Sequence, residues 1–225
     1  MLPDCYEGVW EKTQAELVEK KSRFLAEVYP IRSEQEAESL IARARERHPG
    51  ARHVCFAYRV GFDPVHERSS DDGEPSGTAG KPMLEVLQRR HLDQTLVLVI
   101  RYFGGILLGA PGLVRAYTQA ACRGLDAAGR RRWLLCHKGS AQIEYHAWGK
   151  IEHLLSLLPV HIFEREFLDR VYLSVAAPVR KVEDVHEALS GAGAALDWQM
   201  EEEFYVAEDQ LNWTASGDGS TNEDR

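Results

Sequence analysis

Thr95-Leu96-Val97-Leu98-Val99-Ile100-Arg101-Tyr102-Phe103 decides how the first part of this chain folds. Its first six residues are apolar or β-branched almost without a break, the pattern of a strand covered on both faces. A strand of that kind needs elements packed above and below it. The flanking text supplies them. Downstream, Gly112–Ala128 reads as a helix with Leu113, Tyr117, Ala120, Ala121 and Leu125 on its inward face, closed by Gly129. Upstream, Pro82 suits a helix start and leads into Met83–Arg90. His53–Val60 alternates as a strand, with Val54, Phe56, Tyr58 and Val60 on one side. Ser33 followed by Glu36 is a capping box for a helix carrying Ala37, Leu40, Ile41 and Ala44, which should stop before Pro49-Gly50. Glu16–Glu19 and Arg23–Tyr29 read as strands separated by Lys20-Lys21-Ser22.

A second unit follows a joint near Arg130-Arg131-Arg132. Ala141–Trp148 reads as a strand, Lys150–Leu158 as a helix, and Val160–Leu168 and Val171–Ala177 as strands. Val179–Leu189 then reads as a helix and Ala195–Val206 as the last strand. The order β-α-β-β-α-β is the ferredoxin-like arrangement. The expected class is α+β, in two domains over residues 1–134 and 135–207. Residues 208–225 form a polar acidic tail expected to be disordered.

Composition excludes several classes. The 225 residues carry a formal charge of −8, unevenly distributed. Up to Lys138 there are 21 basic against 18 acidic side chains, and beyond it 6 against 17. An acidic protein is a poor indiscriminate polyanion binder, but the first part leaves one basic face open to such a partner. No apolar run approaches the ~18 residues of a membrane helix, and the first residues lack a signal-peptide pattern. Cys5, Cys55, Cys122 and Cys136 form no CxxC pair, so neither a zinc ribbon nor a disulfide framework is indicated. The expectation is a cytoplasmic protein with no membrane association.

Between the His53–Val60 strand and the Met83–Arg90 helix lies the first unit's chemically richest segment. Residues 69–82 read Ser-Ser-Asp-Asp-Gly-Glu-Pro-Ser-Gly-Thr-Ala-Gly-Lys-Pro and contain no large apolar side chain. Gly80-Lys81 resembles the end of a nucleotide-binding loop, but Pro75 stands at the leading glycine position and Pro82 follows the lysine. Ser76 sits one position late for a serine nucleophile elbow. Asp71, Asp72 and Glu74 could hold a hard cation or cap turns, and turn chemistry is the commoner use. The second constellation is Arg101 through Tyr117, with Gly104, Gly105, Gly109 and Gly112 between strand and helix. Glycines there permit close backbone approach or anion binding by N–H groups. Arg101 and Arg115 are expected to face one crevice, either binding phosphate or pairing with the loop carboxylates.

The nine histidines show no metal-ligating spacing, so no metal site is expected. Trp148, Trp198 and Trp213 read as core or edge aromatics, and Arg89-Arg90 and Arg130-Arg131-Arg132 as solvated faces.

Three stretches carry a family resemblance. They are Lys21-Ser-Arg-Phe24, Ser70-Asp-Asp-Gly-Glu-Pro-Ser-Gly-Thr-Ala-Gly80, and Arg101-Tyr-Phe-Gly-Gly-Ile106 continued by Gly112-Leu-Val-Arg-Ala-Tyr117. Together they resemble the Impact/YigZ family over residues 10–130, and the second unit resembles the small domain that follows in bacterial members. The resemblance implies an N-terminal β-α sandwich similar to domain four of elongation factor G and a ferredoxin-like second domain. Lys81 stands where relatives commonly carry arginine, and Pro111 where they usually carry glycine.

The resemblance also implies a non-enzymatic regulator of translation, since eukaryotic relatives act in translational control, with RNA or the ribosome as partner and no cofactor. The expected cleft has Asp71, Asp72, Glu74, Ser76, Thr78 and Lys81 on one wall, and Arg101, Tyr102, Gly104, Gly105 and Arg115 on the other. The rival readings are a magnesium-dependent enzyme acting on a phosphorylated small molecule and a protein-interaction module.

Overall fold

The computed structural model describes residues 2–212. Two compact units divide between Arg132 and Trp133.

The first unit contains β1 (Cys5–Val9), β2 (Thr13–Glu19), β3 (Ser22–Pro30), α1 (Glu34–Arg47), β4 (His53–Val60), β5 (His66–Ser70), α2 (Gly80–Arg89), β6 (Thr95–Tyr102) and α3 (Ala110–Ala128). Its main sheet runs β2-β3-β6-β4-β5, with every neighbouring pair antiparallel. The apolar run places β6 at the centre. Val97 and Val99 join the core under α2 and α3, while Leu96, Leu98 and Ile100 join the core under α1. Both faces are therefore covered, as the run requires. α3 lies so close to β3 that a Cβ on Gly124 would stand 2.9 Å from Val28 Cγ2. Ser33 caps α1 by accepting the Glu36 N–H at 3.2 Å, and the Glu36 carboxylate accepts the Arg32 N–H at 2.8 Å.

β7 (Arg130–Ile143) crosses the division, so the arginine run lies inside a strand rather than in a linker. Arg130 pairs with Glu7 at 3.0 Å, and Arg131 stacks on Trp10 with its guanidinium 3.3 Å from the ring centre.

The second unit continues with α4 (Tyr145–Leu157), β8 (His161–Phe167), β9 (Val171–Pro178), α5 (Val182–Ser190) and β10 (Ala195–Ala207). Its strands are ordered β10-β7-β9-β8, all antiparallel. α4 and α5 supply Ile151, Leu155, Val185 and Leu189 to one shared core. This is the ferredoxin-like order.

Three expectations need correction. The strand read over Ala141–Trp148 ends at Ile143, and Ala147 and Trp148 belong to α4. Ala147, Ile151 and Leu155 are buried at four-residue spacing, a helical face that overrides the local β text. The edge strand β5 lies partly within the segment read as loop, because His-Glu-Arg-Ser-Ser carries no apolar pattern to announce it. The tail does not begin at 208: Glu208–Gln210 form a 3-10 turn, Leu211 is buried, and the Asn212 N–H donates to Val160 O at 2.9 Å. The rest of the tail, with Trp213, lies outside the described residues. Trp198 packs on Gly139, where a Cβ would stand 2.9 Å from its ring. Among the described residues no helix is long and apolar enough to cross a membrane.

Candidate functional site

The 71–79 loop orders itself around its carboxylates. Asp71 turns back onto the start of α2, where one oxygen accepts the N–H groups of Ala79 (2.9 Å) and Gly80 (2.8 Å) and the other accepts that of Gly77 (2.8 Å). Free N–H groups at a helix start favour a negative charge. Burial alone would raise the Asp71 pKa, but the bonds from Gly77, Gly80 and Ala79 outweigh it and hold the carboxyl below its ordinary value. Asp72, at a left-handed φ of 43°, accepts the Val54 N–H at 2.7 Å and pairs with Arg45 at 2.7 Å. The α2 start presses on the end of β5, since a Cβ on Gly80 would stand 2.7 Å from Ser70 N.

Glu74 turns the opposite way, into the protein. Its Oε1 accepts from Arg101 at 2.6 Å and from the Tyr117 hydroxyl at 2.8 Å, and His53 Nε2 lies 3.8 Å away. Arg101 lies over Phe24 and Phe103, with ring centres at 5.3 and 5.6 Å, and reaches Ser22 Oγ at 3.4 Å. Cys55 Sγ lies 3.0 Å from Asp71 O and 3.4 Å from the Tyr117 hydroxyl, two acceptors for its single proton. Burial, more than the nearby carboxylates, pushes the Cys55 thiol up to about 12 and raises the Tyr117 hydroxyl well above its ordinary value.

These contacts separate the expected cleft into parts. Asp71, Asp72 and Glu74 point at three different sets of internal partners. Among the described residues no group of three or more His, Cys, Asp or Glu side chains is placed to hold a metal. Thr78 closes a turn by donating to Pro75 O at 2.7 Å. Ser76 and Lys81 are exposed, and Lys81 lines a groove between α2 and α3 with Arg89 and Thr118. Tyr102 donates to or accepts from His48 Nδ1 at 2.7 Å.

Arg101 and Arg115 do not share a crevice. Arg101 is buried on Glu74, whereas Arg115 is exposed and lines a hollow with Lys20, Leu108 and Gln119. Gly104 serves close approach: a Cβ there would stand 2.0 Å from the Lys21 carbonyl carbon. Its N–H donates to Ser22 Oγ at 3.2 Å. Gly105 adopts φ 84°, a turn conformation suited to glycine.

The close approach at Gly104 assembles a surface not foreseen from the chain. The β2–β3 hairpin turns on two residues, Lys20 (φ 45°) and Lys21 (φ 66°), both left-handed and both exposed. Asparagine and glycine normally fill such a turn. The loop that Gly104 seats against Lys21 exposes Phe103, Ile106 and Leu107, the last 82% exposed. Arg52 lies 5.4 Å over the Phe103 ring. The available signal was Lys20-Lys21 itself, which reads as a polar break unless the two-residue hairpin is recognised.

A model of the Impact N-terminal domain matches residues 20–125, and one of a domain of unknown function (DUF1949) matches residues 142–192. IMPACT family member YvyE of Bacillus subtilis (strain 168) is 43% identical over 150 residues, 67% of this chain and 69% of that protein. This chain belongs to the IMPACT family. IMPACT family member YigZ of Escherichia coli (strain K12) is 37% identical over 173 residues, 76% of this chain and 85% of its own. A crystal structure of a hypothetical protein is similar at 33% identity, with a TM-score of 0.59 over 89% of this chain and 100% of that one. The IMPACT match begins at Lys20 and ends inside α3, so it spans the Lys20-Lys21 turn, the Asp71 loop and the Arg101–Glu74 pair.

Proposed function

We propose that this IMPACT-family protein is a regulator of translation that binds RNA, free or on the ribosome, through the surface around the β2–β3 turn. The carrying observation is Lys20-Lys21 at the tip of that turn. Each non-glycine residue in the left-handed region costs about 1–2 kcal/mol. Two lysines where Asn-Gly would be easier put two exposed positive charges at the tip of the hairpin.

Arg115 shares a hollow with Lys20, and Arg52 lies beside the exposed Phe103 ring. Cations around an aromatic face suit a phosphate backbone with unstacked bases. The implied kinship with factors of translational control supports the same direction. The carboxylate loop acts as the scaffold behind this surface: its acids are tied to backbone N–H groups, Arg45 and Arg101.

The test is fluorescence anisotropy of the full chain with a mixed-sequence single-stranded RNA from about 50 to 200 mM salt. Affinity is expected to fall steeply with salt. Lys20→Glu and Arg52→Glu should each weaken binding, while Ser76→Ala leaves it unchanged. A wild-type chain that ignores both this RNA and purified ribosomes at the lowest salt overturns the reading.

A further inference from the structure

The ferredoxin-like unit presents a surface of opposite character. Among the described residues of this unit, both α4 and α5 pack on one face of the sheet, and neither covers the other face. On that open face lies a groove of about 640 Å³, whose lining includes Glu164, Glu166 and Asp197 beside Ser140, Gln142 and Ser174. The Ser174 hydroxyl is buried and has no hydrogen-bond partner. The one cation in the lining, Arg170, is already paired with Glu144 at 3.0 Å.

β8 bounds this groove and, among the described residues, ends the strand order. An end strand presents unpaired N–H and C=O groups along its outer side. Five consecutive residues of β8, Phe163 to Phe167, are exposed. Phe163, Phe167 and the following Leu168 leave large apolar side chains in solvent, at 48, 51 and 62% exposure. Charged residues on an edge strand often only prevent unwanted pairing. Here the single cation on that strand is turned away: Arg165 pairs with Glu152 of α4 at 2.9 Å and lies over Trp148 and Phe167. The groove side of the edge therefore displays Glu164 and Glu166, while toward the start of the strand Lys138 of β7 lies 5.8 Å over the Phe163 ring.

We infer that the β8 edge receives an extended segment of a protein partner, carrying Lys or Arg at alternate positions, by addition of a strand. Glu164 and Glu166 are two residues apart and share the open face. Alternate side chains of an extended segment repeat at about 6.8 Å, the same pitch, so two cations would stand opposite the two carboxylates. The intervening side chain would face the other way, toward Phe167 and Leu168, and gains from being apolar. Backbone pairing supplies affinity and the alternating pockets supply selectivity, the usual division in strand addition. Nucleic acid does not fit this face, because carboxylates line it. A single metal ion does not fit either, since three strand spacings, roughly 14 Å, separate Glu164 from Asp197.

The probe is a synthetic peptide, acetyl-Gly-Lys-Val-Lys-Val-Lys-Gly-amide, titrated into the 15N-labelled full chain. Amide shifts and slowed hydrogen exchange are expected in residues 161–168, with weaker binding as salt rises. The double variant Glu164→Lys/Glu166→Lys should raise Kd about tenfold or more, and the matching Glu-Val peptide should not bind.

Three results overturn the inference. One is an unchanged Kd in a folded double variant. Another is shifts centred on other acidic surfaces, such as Glu183 and Asp184 of α5. The third is self-association of the free chain through β8. RNA binding, which depends on Lys20 and Arg52, is read separately, so either proposal can fail alone.

Discussion

Arg101 and Glu74 meet at 2.6 Å with 6% and 3% of their side chains exposed, joining the centre of the sheet to the middle of a loop. Losing one partner of a buried pair leaves the other charge without compensation, at about 3–5 kcal/mol. Glu74→Ala is therefore expected to lower unfolding stability by that order in urea denaturation. Arg101→Met/Glu74→Leu, which removes both charges, should recover much of the loss. A Glu74→Ala protein as stable as wild type would refute the pairing.

The Lys20-Lys21 turn sets stability against function. Lys20→Asn/Lys21→Gly places preferred residues at the same left-handed positions. It should raise stability by about 1–2 kcal/mol and weaken RNA binding together. Thermal unfolding and anisotropy on one preparation measure both.

Acid stability should depend on Glu27 and Asp71. Glu27 is wholly buried, accepting from Tyr29 at 2.6 Å and pairing with Arg47 at 2.5 Å. Burial raises its pKa, yet the Tyr29 bond and the charges of Arg47 and His48 bring it below the ordinary value. Asp71 is lowered by its three backbone donors against the same opposing burial. A carboxyl lowered in the folded state contributes stability that is complete above its unfolded pKa, about 4. That contribution is lost as pH falls through the folded value. Asp71→Asn should cost about 1 kcal/mol at neutral pH, where the cap is charged. It should also flatten the acid limb of a stability–pH curve below about pH 4.

Gly104→Ala is expected to disrupt the loop's seat on the hairpin. Its Cβ would overlap the Lys21 carbonyl, where backbone rather than a flexible side chain must yield. A cost of roughly 1–3 kcal/mol follows from overpacking. Weaker RNA binding should accompany it, because Gly104 seats the Phe103 loop on the Lys21 backbone. Gly50→Ala, with nothing within 4 Å of the added carbon, is the control.

Patterned apolar text foretold most of the fold. Thr95–Ile100 located the central strand, and the spacing of Leu113, Tyr117 and Leu125 located α3. β5 and the helical turn through Trp148 were hidden for opposite reasons: one has no apolar signal, and the other has a signal shared by strand and helix. The site was partly visible. Asp71, Asp72, Glu74 and Arg101 stood out as chemistry, but their partners, Arg45, Val54 and Tyr117, are fixed by tertiary approach that spacing does not encode. Arg115 looked equivalent to Arg101 because both flank the same glycines. Burial separates them.

The Asp71 loop has a final consequence for binding. A helix start and a buried arginine are the two places where this unit would most readily hold a free anion. Both are occupied by the chain's own carboxylates, at Asp71 and Glu74. An incoming phosphate there would compete with a tethered rival present at millimolar effective concentration or above, on the order expected for short linkages. Weak ligands would be displaced before they registered. Selectivity is thereby built in by exclusion, and only contacts at the open rim are left to discriminate between partners.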